Sequence, residues 1–438
     1  MRMSNQVAGK EVAKPALMPK LRFPEFRDAP EWENKPIGGE VDLLSGYPFD
    51  GSDISQDSTG TRLLRGINIT EGYVRHSSDL DRYFLKSADE LQKFTVQSND
   101  LVIAMDGSKV GKNSALITAE DSGALLVQRV ARLRSNNAVT ISFIFQRINS
   151  PTFHAYVDRI NTSSGIPHIS AKQIREFTIG FPSETEQQKI AECLTTLDEV
   201  IAAQSQKIDA LKAHKKGLMQ QLFPREGETL PRLRFPEFQA TAEWRETNLE
   251  SLAHRASGHT PSKAHPEYYN GGIQWVSLAD SRRLDNGLIS ETEIEISEQG
   301  IKNSSAVLHP AGTVLISRDA GIGKSAVMNS PMAVSQHFIV WRCDSSQLSN
   351  WFLYYLLQKL KPLFERVAIG STIKTIGLPF FKELRVTIPV LREQQKIVGC
   401  LTSLDDFITT QSAKLEALKT HKQGLMQQLF PSPEAVEA

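Results

Sequence analysis

Two stretches of this chain occur twice, about 210 residues apart, and that duplication constrains the fold more than any other feature. Leu21-Arg22-Phe23-Pro24-Glu25-Phe26 returns as Leu233-Arg234-Phe235-Pro236-Glu237-Phe238, and a Glu-Trp pair follows each, at Trp32 and Trp244. Residues 186–224 return as 393–431 with 27 of 39 positions identical. A solenoid repeat is far shorter, so this is a duplicated domain. Between the repeated stretches, residues 40–182 and 250–389 share only a skeleton. Val102-Ile103-Ala104-Met105-Asp106 answers to Val314-Leu315-Ile316-Ser317-Arg318-Asp319, and a Gly-Lys follows each, at Gly111-Lys112 and Gly323-Lys324. A frame kept while its inserts diverge is expected when the frame meets two copies of one partner and the inserts meet two different ligands.

The repeated 39-residue stretches read as helices. Their apolar positions step by four and three: Ile190, Leu194, Leu197, Ile201, Ile208, Leu211, Leu218 and Leu222 in one copy, Ile397, Leu401, Leu404, Ile408, Leu415, Leu418, Leu425 and Leu429 in the other. This 3.5-residue period over about five heptads predicts a coiled coil of helices roughly 50 Å long. Ser183 and Glu186 form a capping box for the first helix, while Val390 at the matching place requires another cap for the second. Pro224 and Pro431 end both. Gln204, Gln411, Lys215 and Lys422 interrupt the seam, which is open to two readings, tolerated drift or control of register. Gly217 and Gly424 each cost about 1 kcal/mol against Ala and mark a bend or a close approach.

Two equal copies pack most simply about a pseudo-dyad. The helices are then antiparallel, and residues 21–26 lie at the end of the second helix as residues 233–238 follow the first. The expected class is α+β: two mixed α/β domains separated by two long antiparallel coiled-coil helices with pseudo-two-fold symmetry. Residues 101–104 and 313–316 read as strands ending in Gly-rich turns, and 141–148 and 351–361 as helices.

Composition excludes several classes. The 438 residues are 40% apolar, enough for more than one core. The 50 basic and 50 acidic residues cancel, which counts against non-specific adhesion to nucleic acid but leaves room for a local basic patch. Cys193, Cys343 and Cys400 form no C-x-x-C pair, so neither a zinc site nor a disulfide framework is expected. No apolar run approaches the ~18–20 residues that span a bilayer, and residues 1–14 lack the apolar core of a signal peptide. The expected address is cytoplasmic, with no membrane partner.

The chain resembles the specificity (S) subunits of Type I restriction-modification systems from about Pro19 to Pro431. The resemblance is carried by Thr260-Pro261-Ser262 with Tyr268 to Trp275, by Leu315-Ile316-Ser317-Arg318 with Gly321-Ile322-Gly323-Lys324-Ser325, and by Gly370-Ser371-Thr372. Its strongest carriers are the repeated Glu-Gln-Gln-Lys-Ile helices ending Gly-Leu-Met-Gln-Gln-Leu-Phe. It implies a DNA-recognition subunit with no catalytic residue of its own. On that reading residues 1–18 are a flexible N-terminal segment, 19–183 a first target-recognition domain, 184–224 a spacer helix and 225–232 a linker. Residues 233–391 are the second domain, 392–431 the second spacer helix and 432–438 a tail. Each domain would read one half of a split double-stranded DNA target, and the helices would set the gap and dock partners. The implied partners are two modification subunits, adenine methyltransferases using S-adenosylmethionine, and restriction subunits that use ATP. S-adenosylmethionine, ATP and Mg are thus expected on partner subunits, with no cofactor or metal on this chain. A rival reading, a structural adaptor that binds only protein, explains the helices equally well. It does not explain why paired domains diverge while keeping basic Gly-rich loops.

Chemistry within the chain is sparse. A phosphate loop needs Gly five residues before the Gly-Lys, where Arg318 and Asp106 stand. No dinucleotide fingerprint, amino-methyltransferase motif or H-E-x-x-H occurs. His214 and His421 sit among lysines and read as a solvated face. For base contacts, Arg or Lys suits guanine and Asn or Gln suits adenine. The candidates are Arg62, Arg65, Asn68 and Arg82 in the first domain and Lys263, Tyr268, Tyr269, Arg318 and Lys374 in the second. Tyr268 and Tyr269 read equally well as core. Lys109, Lys112 and Lys324 lie on the Gly-rich loops, which are either plain strand-ending turns or loops beside DNA phosphates.

Overall fold

The computed structural model describes residues 17–135, 137–161, 167–370 and 374–431. Most of the expected N-terminal segment, the tail at 432–438, and Ser371 and Thr372 lie outside them. Leu17 does not belong to a flexible segment: it is buried in a core, and its carbonyl accepts the Trp32 N–H at 3.1 Å. The chain divides into two compact units, one holding residues up to Gln204 and from Lys414 onward, the other Ser205 to Ala413.

Each unit is built on a five-stranded sheet. In the first unit the strands are β1 (Asp42–Ser45), β2 (Glu71–Gly72), β3 (Leu101–Ala104), β4 (Ser114–Leu116) and β5 (Val130–Arg134), in the order β1-β5-β3-β4-β2. The second unit has β6 (Ala253–Ser257), β7 (Leu288–Ile289), β8 (Val314–Ser317), β9 (Ser325–Met328) and β10 (Phe338–Cys343), in the corresponding order β6-β10-β8-β9-β7. All pairings are antiparallel except β2 with β4 and β7 with β9. The central strands β3 and β8 are buried along their whole length, which is why they read as unbroken apolar runs rather than alternating ones. Strand β8 sits one residue later than the apolar run suggests.

Alternate residues of the central strand serve two cores. Leu101 and Ile103 pack with the helices, whereas Val102 faces a second cluster under a small sheet. In the second unit Val314 and Ile316 face the helices and Leu315 the other side. The small sheets differ, being Ile54–Ser55, Tyr83–Phe84, Thr61–Leu64 and Leu125–Leu126 in one unit and Glu295–Ile296, Tyr269–Val276 and Ala333–Val334 in the other. Against the helical face lie α1 (Ala138–Ile148) and α2 (Pro151–Ile160) in the first unit. Pro151 opens α2 behind its Ser150 cap, a place where proline fits without losing a hydrogen bond.

The repeated stretches are the helices α3 (Glu184–Leu222) and α5 (Leu391–Leu429), each 39 residues and about 58 Å long. Between them in sequence, α4 (Asn350–Val367) takes the place of α1 and α2, with Pro362 inside it. Ser183 accepts the Glu186 N–H at 3.4 Å, but the Glu186 carboxylate does not complete a capping box: Arg22 holds it. Both helices start instead on a shared device. Gln187 and Gln394 each donate a side-chain amide, at 3.0 Å, to the carbonyl of the preceding Pro182 or Pro389. Val390 takes part through its carbonyl, which accepts from Glu393 and Gln394.

Within each unit the helix segments run antiparallel. In the first, Leu21 N–H donates to the Gln428 carbonyl at 2.9 Å while its neighbour Arg22 holds Glu186, so residues 21–22 tie the start of α3 to the end of α5. In the second, Leu233 N–H donates to the Gln221 carbonyl at 2.9 Å and Arg234 holds Glu393. The polar seam residues have defined work. Lys422 bonds Asp198 at 2.6 Å, and Lys215 bonds Asp405 at 2.5 Å. The globular part grips the same aspartates, through Gln146 at 3.2 Å and the Tyr355 hydroxyl at 2.8 Å. A one-turn slip would leave a half-buried charge unpaired, which favours register control over tolerated drift at Lys215 and Lys422. Gln204 and Gln411 are buried. Ile190, Leu194, Leu425 and Leu429 join the first unit's core and Leu218, Leu222, Ile397 and Leu401 the second's, while Leu197, Ile201, Leu211, Leu404, Ile408, Leu415 and Leu418 are half-buried and Ile208 is buried.

Candidate nucleic-acid interface

The ladder directions gather the variable loops at one end of each sheet. Because β1 and β3 both run antiparallel to β5, the loops after β1 and β3 and the turn before β5 leave together. They are stitched by Gln128 N–H to the Tyr47 carbonyl and Met105 N–H to the Arg129 carbonyl, both 2.9 Å. Ile169 N–H donates to the Met105 carbonyl at 2.8 Å and brings in a fourth segment. The second unit repeats the pattern: His259 N–H to Val334 at 3.0 Å, Arg318 N–H to His337 at 2.9 Å, and Ile376 N–H to Arg318 at 2.9 Å. Gly46 and Gly258 permit this closeness. A Cβ there would stand 2.2 Å from the Val127 carbonyl oxygen or 2.1 Å from that of Val334.

At the centre of each loop cluster lies an aspartate holding a basic residue. Arg129 donates Nη1 to Asp106 at 2.9 Å, and His337 Nδ1 lies 2.5 Å from Asp319. The Thr375 hydroxyl also donates to Asp319. Arg129 holds a left-handed backbone at φ 67° and is largely exposed; His337 is about one-third exposed.

The first unit brings several of its sequence candidates together and spends some of them internally. Arg65 donates to the Leu80 carbonyl at 2.7 Å, and burial, then the neighbouring Arg82, holds its pKa below the usual arginine value. Arg82 donates to the Asp79 and Asp81 carbonyls. Arg62, on the strand Thr61–Leu64, has a buried Nε without a hydrogen-bond partner. Asn68 is 1% exposed; its oxygen accepts the Arg65 N–H and its amide donates to the Arg75 carbonyl and Asp81. It shapes the loop from inside and cannot reach a base edge as it stands. Lys109 is exposed and pairs with Glu71 at 3.0 Å, while Lys112 lies 3.5 Å from Asp158.

In the second unit, Asp319, Gly321, Lys324, Lys361, Glu365 and Lys374 help to line an open cleft of about 540 Å³. Lys324 donates to the Ser281 carbonyl at 2.8 Å and Lys361 to Asp285 at 3.0 Å; Lys374 is exposed. Arg318 donates Nε to the Ile376 carbonyl at 3.0 Å. The matched Gly-Lys pairs are one residue out of register: Ser317 N–H bonds the Lys324 carbonyl, but Ala104 N–H bonds that of Asn113. Tyr269 is structural, its hydroxyl donating to the Pro261 carbonyl at 2.6 Å and its ring set edge-on to Trp275. Tyr268 stacks on His265 with centroids 4.8 Å apart, and Lys263 is exposed. Among the described residues no cluster of His, Cys, Asp or Glu is placed to hold a metal, and no helix is long and apolar enough to cross a membrane.

The two units match one family twice. The family described as "Type I restriction modification DNA specificity domain" aligns with residues 47–213 and again with 241–420. The chain belongs to this Type I DNA specificity family. The MjaVIII specificity subunit of Methanocaldococcus jannaschii is 22% identical over 440 residues, covering 94% of this chain and 93% of that protein. The MjaIX specificity subunit of the same organism is 29% identical over 179 residues, 40% of this chain and 41% of that protein. The EcoAI specificity subunit of Escherichia coli is 32% identical over 173 residues, covering 39% of this chain and 28% of that protein. In fold, the chain is similar to the crystal structure of the S subunit from M. genitalium, with a TM-score of 0.59, 16% identity, and coverage of 95% of this chain and 100% of that one.

As a member of this family the chain carries two DNA specificity domains. Arg129 and His337 are absent from the sequence-derived candidates. The only sequence signal for them is a Gln before each, in Gln128-Arg129-Val130 and Gln336-His337-Phe338. Their distances from the aspartates, 23 and 18 residues, differ, so no fixed spacing marks them as equivalent.

Proposed function

We propose that this chain is the non-catalytic recognition subunit of a Type I restriction-modification complex. Each unit reads one half of a split DNA target. The observation that carries this reading is the repeated loop cluster: two units with the same sheet order present the same end of the sheet, on the same hydrogen-bonded frame, with different side chains. A frame that supports interchangeable tips suits two unlike half-sites.

The repeated helices dock modification subunits on this reading. Val200 and Phe407, at equivalent places on α3 and α5, are apolar yet 44% and 42% exposed, which suits a covered face. The partners are two modification subunits and restriction subunits. S-adenosylmethionine, ATP and Mg belong to those partners, and this chain works in the cytoplasm.

The test is methylation mapping of DNA from cells expressing the chain with its modification subunit, alongside salt-dependent binding of that complex. The expected target is asymmetric and split by unspecified bases, and exchange of residues 40–182 for another domain of the family alters one half only. A continuous or palindromic target would overturn the reading, as would turnover by the pure chain.

A further inference from the structure

We propose that Arg129 and His337 occupy one equivalent base-reading position in the two units and give the half-sites different chemistry there. The proposal rests on the DNA-reading function above and names the residues that discriminate.

The equivalence follows from the ladders. Val130 pairs with Ala104 and Phe338 pairs with Ser317, the last residues of β3 and β8. The preceding residues, Arg129 and His337, therefore stand at the same place, and each carbonyl accepts the N–H of the residue that ends the central run, Met105 or Arg318. One residue further, Asp106 and Asp319 turn back onto the two side chains. The carboxylate is common to both units and the group it holds is not.

What each group offers is set by that hold. Asp106 engages only Nη1 of Arg129, and among the described residues the guanidinium makes no other hydrogen bond. Its Nε–Nη2 edge is a pair of parallel donors on a side chain 61% exposed. That pattern fits the O6 and N7 acceptors of guanine. Asp319 accepts from Nδ1 of His337, which in the neutral ring leaves Nε2 as an acceptor. Among the described residues Nε2 has no partner. An acceptor on a fixed ring suits an exocyclic amino group, N6 of adenine or N4 of cytosine. Asp106 and Asp319 act as positioning residues for these two readers.

The experiment maps methylation base by base in cells expressing the modification subunit with wild-type chain, Arg129→Ala, Arg129→Lys, His337→Ala, His337→Gln or His337→Arg. Arg129→Ala should relax one guanine position in one half-site, with discrimination falling on the order of 10- to 100-fold, and Arg129→Lys should retain part of it. His337→Ala should relax one position in the other half, and the wild-type map shows whether that position is adenine or cytosine. His337→Arg should move that position toward guanine and leave the first half unchanged. An unchanged motif in all variants overturns the proposal. So does an even loss of methylation across all sites that the Lys and Gln variants share. If the wild-type map itself shows no split motif, the DNA-reading function fails, a result distinct from failure of the two readers.

Discussion

Arg22 holds Glu186 through two bonds of 2.7 Å, one from Nε and one from Nη2, with both side chains almost completely buried. The other copy repeats this at 2.8 Å between Arg234 and Glu393. Each arginine also donates to carbonyls just beyond the 3-10 turn that follows it, Arg22 to Ala29 and Pro30 beyond Pro24–Phe26, Arg234 to Thr241 and Ala242 beyond Pro236–Phe238. The pair thus fastens the repeated hexapeptide to the first turn of a long helix. Arg22→Ala should destabilise the first unit by roughly 2–3 kcal/mol, because a buried carboxylate loses its bidentate partner. Urea unfolding should show a lower midpoint, and Arg22→Lys should recover only part of the loss, since lysine cannot form the fork. An unchanged midpoint in Arg22→Ala would mean the pair is replaced by solvent.

The repeat made the helices and their partners legible. Identity between residues 186–224 and 393–431 exposed both helices, and the return of Leu-Arg-Phe-Pro-Glu-Phe located the segments that bind them. Ser183-x-x-Glu186 has the spacing of a capping box, but the partner of the Glu186 carboxylate is 164 residues away, beyond the reach of local spacing. The candidate interface was legible in its loops and not in its side chains. Arg62, Arg65 and Arg82 look free in sequence, yet burial and backbone carbonyls claim much of their capacity. The equivalence of Arg129 and His337 is not legible in sequence, because ladder register, a property of the folded sheet, defines it.

A histidine clip closes the variable part of the first unit. His76 bonds Asp81 through Nδ1 at 3.1 Å and Asp121 through Nε2 at 2.6 Å. Two acceptor-only carboxylates favour the doubly protonated ring. Burial pulls the His76 pKa down, but the bonds to Asp121 and Asp81 outweigh it and raise it above the ordinary value; the Arg62 charge opposes them and the Asp81 charge assists. A raised folded-state pKa contributes stability that is fully present below about pH 6.5 and is lost as pH rises through the folded value. Stability of the first unit should therefore be lower at pH 8 than at pH 6. His76→Gln should flatten that slope in urea unfolding at the two pH values. A wild-type slope retained in the variant would assign it to another group.

Arg147 is a costly placement in the first unit. It is 3% exposed, its Nε is buried without a partner, and its guanidinium lies 4.5 Å from the centre of the Phe430 ring. Burial pushes its pKa down to about 10. The second unit places Leu356 at the corresponding point, directly after the residue that grips the helix aspartate, Tyr355 there and Gln146 here. Arg147→Leu should stabilise the chain by about 1–3 kcal/mol, since the cost of burying the charge exceeds what the ring contact returns. The check is the midpoint of thermal or urea unfolding. A drop in that midpoint would show that the arginine has a partner within the folded chain.

Lys374 should act on DNA affinity without acting on sequence preference. In the cleft that Lys324, Lys361 and Lys374 help to line, Ser281 holds the first and Asp285 the second. Among the described residues Lys374 makes no hydrogen bond or ion pair, and it is exposed. Such a lysine is suited to a phosphate, which carries no sequence information. Lys374→Ala in the complex with its modification subunit should reduce the slope of log affinity against log salt by about 0.9, the value for one released counterion. At 0.1 M salt this corresponds to roughly 8-fold weaker binding, alike for target and non-target DNA. Lys324→Ala should differ, because it removes the tie to Ser281 and so perturbs the loop. Binding titrations from 50 to 200 mM salt decide between these outcomes. A changed base preference in Lys374→Ala would make the lysine a base reader, and an unchanged slope would place it away from the DNA.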